Sequence, residues 1–322
     1  MIPIRDTTPS AHYPIVNTTL IAFNVMIFLV QMAQGPDLGK FIYFYGLVPA
    51  RYSIPQISDY FSMGQQAFSL LSFMFLHGGF LHLLGNMWTL YIFGDNIEDR
   101  LGHLRYLVFY LLCGIGSGLA HLFLNAQSNI PTIGASGAVA GVMGAYLILY
   151  PTSRILTLIP IIFIPWFVEI PAFFFLGLWF FLQFLNAAST QGMGSGIAWW
   201  AHIGGFLLGI VLLRMFSKIP MSRFQKAMYQ ATAKKKTHRL QVVRPGGGGD
   251  DNNLYGTISV SRHEASAGAR KLINVPWGLH NRMFNINVPP GTREGSVLRL
   301  RGLGRIGPDG GRGDLMLTVK VT

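Results

Sequence analysis

The sequence contains a single cysteine, Cys113, among its 322 residues. One thiol excludes a disulfide framework and any cysteine-based zinc site. Charged residues are also scarce. They make up 12% of the chain, and a soluble domain usually carries about twice that fraction. A disordered, collagenous or ordinary cytosolic protein is therefore excluded. Apolar residues make up 51% of the chain, and the mean hydropathy is +0.40. This composition favours a polytopic membrane protein with a soluble appendage.

Acidic residues are few as well. The chain has 13 Asp and Glu against 25 Lys and Arg, which gives a net charge of +12. Such a balance can indicate nucleic-acid binding, but most of the excess lies beside the last hydrophobic run. At that position it is better explained by membrane topology and by contact with anionic lipid. We therefore expect a lipid bilayer, and no nucleic acid, among the partners.

The sequence is rich in long hydrophobic runs. A helix that crosses a bilayer needs about 20 mostly apolar residues. Five segments qualify directly, at residues 15–32, 80–97, 106–125, 133–150 and 198–216. The stretch 155–188 is interrupted by Pro160 and Pro165, which would break a helix. We interpret 155–170 as an interfacial or re-entrant segment and 171–188 as one span. The prediction is a six-helix, all-α membrane domain.

The basic residues of the loops predict the orientation. With the N-terminus inside, the inner segments hold thirteen Lys and Arg, and the outer segments hold only Lys40 and Arg51. This is a strong positive-inside signal. A seventh span within 155–170 would place the Lys-rich tail outside, so we reject it. No cleavable signal peptide is evident. We expect a multi-pass protein of the bacterial plasma membrane with both termini in the cytoplasm.

The composition changes after the last span. Residues 218–253 contain three consecutive lysines (234–236) and four consecutive glycines (246–249), which indicates a basic, flexible linker. From residue 254 the apolar residues alternate with polar ones, and Pro-Gly and Asp-Gly turns separate the runs. This pattern predicts a small antiparallel β module of about 70 residues, near the lower size limit of an independent domain.

Strongly polar side chains inside a membrane span are costly, so each is a functional candidate. The second span carries His77, His82 and Asn86, and the last two share one helix face because they are four residues apart. Ser136 opens the fourth span and His202 the sixth. Each signal has a simpler explanation when taken alone. Gly-x-Ser-Gly is more often a packing motif, a membrane His is more often structural, and Asn commonly joins helices.

The direction of the spans strengthens the functional interpretation of these polar residues. Spans two, four and six all run from outside to inside, so His82, Asn86, Ser136 and His202 lie at one depth below the external surface. Ser136 can then be a nucleophile with His202 as its general base. Asn86 and His82 can donate hydrogen bonds to a developing oxyanion. No acidic residue is available at this depth, which predicts a Ser-His dyad whose imidazole is oriented by packing.

Glycines support close contact between the same spans. Gly137 and Gly141 lie in span four, and Gly205 and Gly209 in span six. Small residues four apart let two helix backbones approach. We assign these four, and Gly134 just before the serine, to helix packing. Close packing is also what a Ser–His contact across two helices requires.

Other chemistries fit less well. His263-Glu264 begins like a zinc-protease motif, but the matching later position is Ala267. The chain has no pair of membrane aspartates at one depth and no phosphate-binding loop. We therefore predict no metal and no cofactor, and we assign His103 and His121 structural roles.

The membrane region resembles the rhomboid family of intramembrane serine proteases over residues 14–216. The resemblance rests on three motifs in the family's order, His82-x-x-x-Asn86, Gly134-Ala135-Ser136-Gly137 and Ala201-His202-x-Gly204-Gly205. It implies a six-helix fold that cleaves transmembrane substrates near the external surface. It also implies Ser136 as nucleophile and His202 as its base. The implied oxyanion hole consists of Asn86, His82 and the backbone N–H of Ser136.

Two departures from the family pattern concern supporting residues. Many relatives carry a Trp-Arg pair in the first external loop, where this chain reads Tyr-Gly-Leu-Val-Pro-Ala-Arg over 45–51. Some place a Tyr, stacked on the base, one turn after the serine, where this chain has Ala140. Neither departure removes a catalytic group. They bear on how the loop is anchored and how the base is held.

The C-terminal module resembles the substrate-binding β domain of DnaJ-type co-chaperones over residues 254–321. Its signature is Val-Pro-Pro-Gly-Thr at 288–292, Leu-Arg-Leu-Arg-Gly at 298–302 and Gly-Arg-Gly-Asp-Leu at 311–315. It covers about one of the two such units usually present. A His-Pro-Asp tripeptide is absent from the sequence, and so is a cysteine-rich zinc region. The resemblance implies binding of unfolded hydrophobic peptide, and a purely scaffolding role is the alternative.

Together these observations predict three parts. Residues 1–217 form the rhomboid-like protease domain, 218–253 the cytoplasmic linker and 254–322 the DnaJ C-terminal-like β domain. The predicted function is serine endopeptidase cleavage of transmembrane protein substrates. The alternative is a catalytically silent rhomboid-like protein that binds transmembrane segments in membrane protein quality control. Span five is rich in Phe and is followed by a Gly-rich loop, which suits lateral access of a substrate helix.

Overall fold

The computed structural model describes residues 1–161, 164–189, 198–233, 240–242, 252–277, 280–306 and 311–321. The chain divides into two compact units, Met1–Ala233 and Lys234–Thr322. The first unit extends past residue 217, where we expected the membrane domain to end. The lysine and glycine runs of the expected linker, and the loop 190–196, lie outside the described residues.

Helices dominate the described part of the first unit. They are, in chain order, α1 (Ile15–Met32), α2 (Leu38–Tyr45), α3 (Ala50–Ser53), α4 (Pro55–Ser58), α5 (Met63–Ser72), α6 (Phe80–Leu101), α7 (His103–Leu124), α8 (Ser136–Leu149), α9 (Ala172–Ser189), α10 (Trp199–Lys218) and α11 (Arg223–Ala231). All six predicted hydrophobic spans are helices, which confirms their positions. The long apolar helices make this a membrane protein embedded in a bilayer.

The count of spans differs from the prediction. Among the described helices, α1, α7, α9 and α10 are long and apolar enough to cross a membrane. A fifth candidate is the pair Met63–Phe75 and Phe80–Leu101, which is bent by 79°. Helix α8 is apolar but has only 14 residues, below the roughly 17 that a span needs. The expected six spans are therefore four or five by length and composition.

Residues 154–161 and 164–171 form two paired antiparallel strands. Strand β1 (Ile2–Asp6) pairs antiparallel with β2 (Arg154–Ile161), and β2 pairs antiparallel with β3 (Ile164–Pro171). The prolines do prevent a helix, as predicted, but Pro160 and Pro165 face each other across the two strands. The membrane domain is mainly helical, as predicted, but it also contains one three-stranded sheet, to which the distant N-terminal segment contributes β1.

Strand β1 is held by side chains of the neighbouring helices. The indole N–H of Trp88 donates to the Pro3 carbonyl at 2.6 Å. The carboxylate of Asp6 accepts from the Asn96 amide at 2.9 Å and from the Tyr146 hydroxyl at 2.6 Å. Burial raises the pKa of the Asp6 carboxyl. Strand β1 therefore lies against α6 as well as β2.

Helix α11 packs against the rest of the first unit, although it lies within the expected linker 218–253. The hydroxyl of Tyr229 donates to the main-chain carbonyl of Asp99. The ring of His12 stacks on Tyr229 with 3.6 Å between ring centroids, and its Nδ1 lies 2.6 Å from the Asp99 carboxylate. Burial, followed by the charge of Asp99, raises the pKa of Tyr229 to about 12. These contacts order the chain just after the last span.

The second unit is a β module. Its described elements are β4 (Leu240–Val242), β5 (Leu254–Val260), α12 (Arg262–Ala267), β6 (Ala269–Trp277), β7 (His280–Val288), β8 (Val297–Leu300) and β9 (Leu315–Val321). They form two sheets, in the orders β4-β6-β7 and β5-β9-β8. Ile258, Ile273 and Leu317 are fully buried in its core, so the alternating pattern predicted the inward face. The prediction of a wholly antiparallel module is wrong, since β4 pairs with β6, and β5 with β9, in parallel.

Candidate active site

Ser136 is the first residue of α8. The chain reaches it through Gly134, whose φ of +129° is a value that other residues rarely adopt. The N–H of Gly134 donates to the Phe73 carbonyl at 2.9 Å, and a Cβ on Gly134 would lie 2.8 Å from the His82 imidazole. The N–H of Ser136 lies in the first helical turn, where backbone N–H groups have no partner within the helix. The turn therefore presents both the hydroxyl and an N–H donor.

His202 of α10 meets this serine directly. The Nε2 atom of His202 lies 2.8 Å from the Oγ atom of Ser136. The two helices approach closely at their glycines. A Cβ on Gly205 would lie 2.1 Å from the carbonyl oxygen of Gly137, and a Cβ on Gly209 the same distance from that of Gly141. The structure thus brings together the serine, the histidine and the glycine pairs that the sequence singled out.

The other ring nitrogen of His202 has a partner that sequence reasoning missed. Its Nδ1 lies 2.8 Å from Oε1 of Gln183, which is buried in α9. Trp179, one turn earlier on α9, and Trp199 place their rings 6.1 and 6.0 Å from the imidazole, centroid to centroid. The imidazole is therefore held by a hydrogen bond and two indoles. Ala140 leaves no aromatic ring at the position where some relatives place one.

Two polar residues of α6 face the same space. Asn86 is 7% exposed, and among the described residues its Nδ2 has no hydrogen-bond partner. His82 accepts the N–H of Gly78 on Nδ1 at 3.2 Å. A neutral imidazole that accepts on Nδ1 carries its proton on Nε2. Both side chains therefore present N–H donors.

These groups line one cavity of about 710 Å³. Ser136, His202, Asn86 and His82 all contribute to its wall, together with Gln183. Other parts of its wall come from Met1, from Pro3 of strand β1, and from Trp179 and Phe175 of α9. A hydroxyl beside an imidazole acceptor is the arrangement of an activated nucleophile. Unpartnered N–H donors in the same cavity suit the negative charge that develops in acyl transfer.

Comparisons with known proteins match both parts of the chain. Residues 64–219 match the family model of the Rhomboid domain. RHOMBOID-like protein 6, mitochondrial, of Arabidopsis thaliana is 30% identical over 254 residues, which cover 70% of this chain and 77% of the relative. The chain belongs to the rhomboid family. Residues 245–322 match the model of the DnaJ C terminal domain, so a β module of that family follows the rhomboid region.

Two further rhomboid relatives match over part of their length. RHOMBOID-like protein 4 of Arabidopsis thaliana is 37% identical over 164 residues, which cover 47% of this chain and 35% of the relative. Rhomboid protein 1, mitochondrial, of Saccharomyces cerevisiae is 26% identical over 233 residues, which cover 70% of this chain and 56% of the relative. The chain thus spans less than two thirds of both proteins. Relatives from a plant and a yeast give no support to the bacterial membrane expected above.

The first loop of this rhomboid is anchored by Arg51, although the chain lacks the Trp-Arg pair. Arg51 is fully buried and donates from one terminal nitrogen to the carbonyls of Tyr43 and Phe44 at 3.1 and 2.9 Å. Its guanidinium lies 3.6 Å from the centroid of the Phe61 ring. Burial lowers the pKa of Arg51, yet the group stays protonated at neutral pH. One arginine therefore joins three parts of the loop.

The remaining histidines of the membrane unit lie outside the dyad. His77 precedes α6, and its backbone N–H and carbonyl are bound by the Gln31 side chain at 3.0 and 2.6 Å. His103 bonds to Glu98, and His121 lies 2.9 Å from the Thr132 hydroxyl. The described residues contain no cluster of three or more His, Cys, Asp or Glu that could hold a metal ion.

Proposed function

We propose that the protein is an intramembrane serine endopeptidase that cleaves transmembrane substrates with a Ser136–His202 dyad. The observation that carries the proposal is the 2.8 Å contact between Ser136 Oγ and His202 Nε2. The same cavity presents the Asn86 amide, whose Nδ2 has no hydrogen-bond partner among the described residues. A catalytically silent family member has no need of that contact. The named relatives add the family but not the activity.

The proposed reaction begins when Ser136 Oγ attacks the carbonyl carbon of the scissile peptide bond. His202 Nε2 takes the hydroxyl proton, and the carbonyl oxygen becomes an oxyanion. Asn86 Nδ2, the Nε2–H of His82 and the Ser136 N–H donate to that oxyanion. When the tetrahedral intermediate collapses, the C–N bond breaks and His202 gives its proton to the leaving amine. Water then attacks the acyl-enzyme with His202 again as base, which releases the acid and restores the serine.

The proposed orientation places this chemistry near the external surface. It rests on the bias of thirteen inner against two outer basic residues in the loops. The same orientation puts residues 218–253 and the β module in the cytoplasm, on the side away from the dyad. The module then acts on the cytoplasmic part of a client, as a peptide-binding or scaffolding unit, and has no direct role at the scissile bond.

A fluorescent serine-directed probe tests the proposal on the purified full-length protein in detergent. The wild-type chain should be labelled, and Ser136→Ala should not. Ser117→Ala is the matched control, because Ser117 also lines the cavity but bonds to the Gly114 carbonyl at 2.7 Å. It should label like the wild type. Equal labelling of the wild type and Ser136→Ala would place the reactive serine elsewhere, and no labelling of the wild type would favour the silent alternative.

A further inference from the structure

The dyad is completed by a neutral residue on a third helix. Gln183 of α9 is 7% exposed, and its Oε1 lies 2.8 Å from Nδ1 of His202. The opposite ring nitrogen contacts Ser136 at the same distance. We infer that Gln183 is the positioning residue of the base, and that it couples helix α9 to the alignment of the dyad. The inference rests on the proposed protease function and adds a residue to it.

The orientation of the Gln183 amide follows from its second contact. Its Nε2 donates to the backbone carbonyl of Trp179 at 3.4 Å. A carbonyl can only accept, so the amide nitrogen belongs on that side and Oε1 belongs toward His202. Because Oε1 can only accept, Nδ1 of the neutral imidazole carries the proton. The lone pair of Nε2 then points at Ser136, which is the tautomer that a general base requires.

A neutral partner suits this location. In soluble serine proteases a buried carboxylate holds the histidine, but an isolated charge in a membrane span is expensive. An amide oxygen fixes the same tautomer and ring orientation without burying a charge. The cost is that the amide stabilises the protonated imidazole less than a carboxylate would. The residue therefore acts mainly by orienting the imidazole. Its substitution should lower activity less than substitution of Ser136 or His202.

Helix α9 carries Gln183 and Trp179 on one face, because they are four residues apart, and both lie beside His202. Other α9 side chains point outward: Phe173, Phe174, Phe181 and Phe184 are each more than half exposed. A lateral displacement of α9 that admits a substrate helix would draw Oε1 away from Nδ1. The alignment of the base therefore depends on the position of α9.

The test compares Gln183→Met with Gln183→Glu in the full-length protein. Met keeps the side-chain length but has no comparable acceptor, whereas Glu keeps an acceptor oxygen in either ionisation state. Loss of one orienting hydrogen bond should lower kcat on a transmembrane substrate by about 10- to 100-fold, with KM little changed. The rate of serine-probe labelling should fall in parallel. Gln183→Glu should recover most of both rates.

Leu182→Met is the matched control, since it introduces Met into the same helix at a side chain that is 45% exposed. It should leave both rates unchanged, and thermal unfolding should show all three variants folded. If Gln183→Met labels and cleaves like the wild type, the inference is wrong while the proposed dyad stands. If the Gln183→Glu protein is folded but does not recover activity, the role of Gln183 is packing and not hydrogen bonding. Failure of the wild type itself to label would instead reject the proposed function.

Discussion

The backbones of Gly205 in α10 and Gly137 in α8 are in direct contact. A Cβ atom added to Gly205 would lie only 2.1 Å from the Gly137 carbonyl oxygen. One residue before Gly137 is Ser136, and three before Gly205 is His202. The separation of the two helices at this point therefore sets the separation of nucleophile and base. A packing motif and a catalytic motif occupy the same turn of each helix, which explains why the sequence signals for both coincide.

Gly205→Ala should force α8 and α10 apart and lengthen the Ser136–His202 contact. The obstacle is backbone, which cannot rotate away, so we expect a destabilisation of about 1–3 kcal/mol and a fall in kcat of at least about 10-fold. Gly177→Ala on α9 is the control, because nothing lies within 4 Å of its Cβ position. Thermal unfolding and cleavage rates measure both effects. A fully active Gly205→Ala protein would show that the dyad tolerates a wider helix separation.

Asn86→Ala should lower kcat by about 10² to 10³-fold, the loss typical of a principal oxyanion donor. Its amide nitrogen lines the cavity without a partner among the described residues, so its free donor is available to the transition state. Leu84→Ala, at an exposed position of the same helix, is the control for a general effect on α6. Steady-state kinetics with one transmembrane substrate are sufficient. A change in KM alone would mean that Asn86 binds substrate and does not stabilise the oxyanion.

Deleting residues 246–322 should leave turnover of a minimal transmembrane substrate nearly unchanged. The β module is a separate compact unit with its own hydrophobic core, and the proposed topology holds it away from the dyad. A module that binds the cytoplasmic part of a client raises the client's local concentration at the protease. Substrates with unfolded, hydrophobic cytoplasmic segments should therefore be processed more slowly. A variant with an unrelated domain of similar size in place of the module distinguishes the loss of client binding from the loss of bulk. An equal fall in the cleavage rate of both substrate classes after deletion would contradict the proposed role of the module.

The stability of the β module should depend on Asp314 and on pH. The Gly302 N–H and the Arg299 guanidinium, at 2.8 and 2.5 Å, lower the pKa of the Asp314 carboxyl. A carboxyl whose pKa is lowered on folding adds stability above its unfolded pKa of about 3.9, and that stability is lost as the pH falls through the folded value. At pH 7, peptides of β8 and β9 in Asp314→Asn should exchange amide hydrogen faster than in the wild type. The difference should shrink below about pH 4, and a difference that persists there would rule out the charge as its source.

The sequence predicted the helices well because hydrophobic length is a local property. Span one was expected at 15–32 and is α1 at Ile15–Met32, and span five shifts by one residue. The dyad was predictable because its residues carry motifs. Strand β1 was not, because its pairing with β2 joins segments about 150 residues apart.

Gln183 was missed for a related reason. We expected only an acidic residue to orient the imidazole, and the contact between Gln183 and His202 joins two different helices. The sequence nevertheless contained a signal, since Gln183 is a polar amide within a Phe-rich span. The rule that singled out Asn86 would also have singled out Gln183.

We propose that Ser136 and His202 together cleave a peptide bond inside the membrane. The most direct measurement is cleavage of one transmembrane substrate by the full-length protein in lipid vesicles, with the product identified by mass spectrometry. The account predicts a single cut near one end of the substrate helix, and a loss of at least about 10³-fold in both Ser136→Ala and His202→Ala, because nucleophile and base act as a unit. Cleavage by folded His202→Ala at the wild-type rate would contradict it.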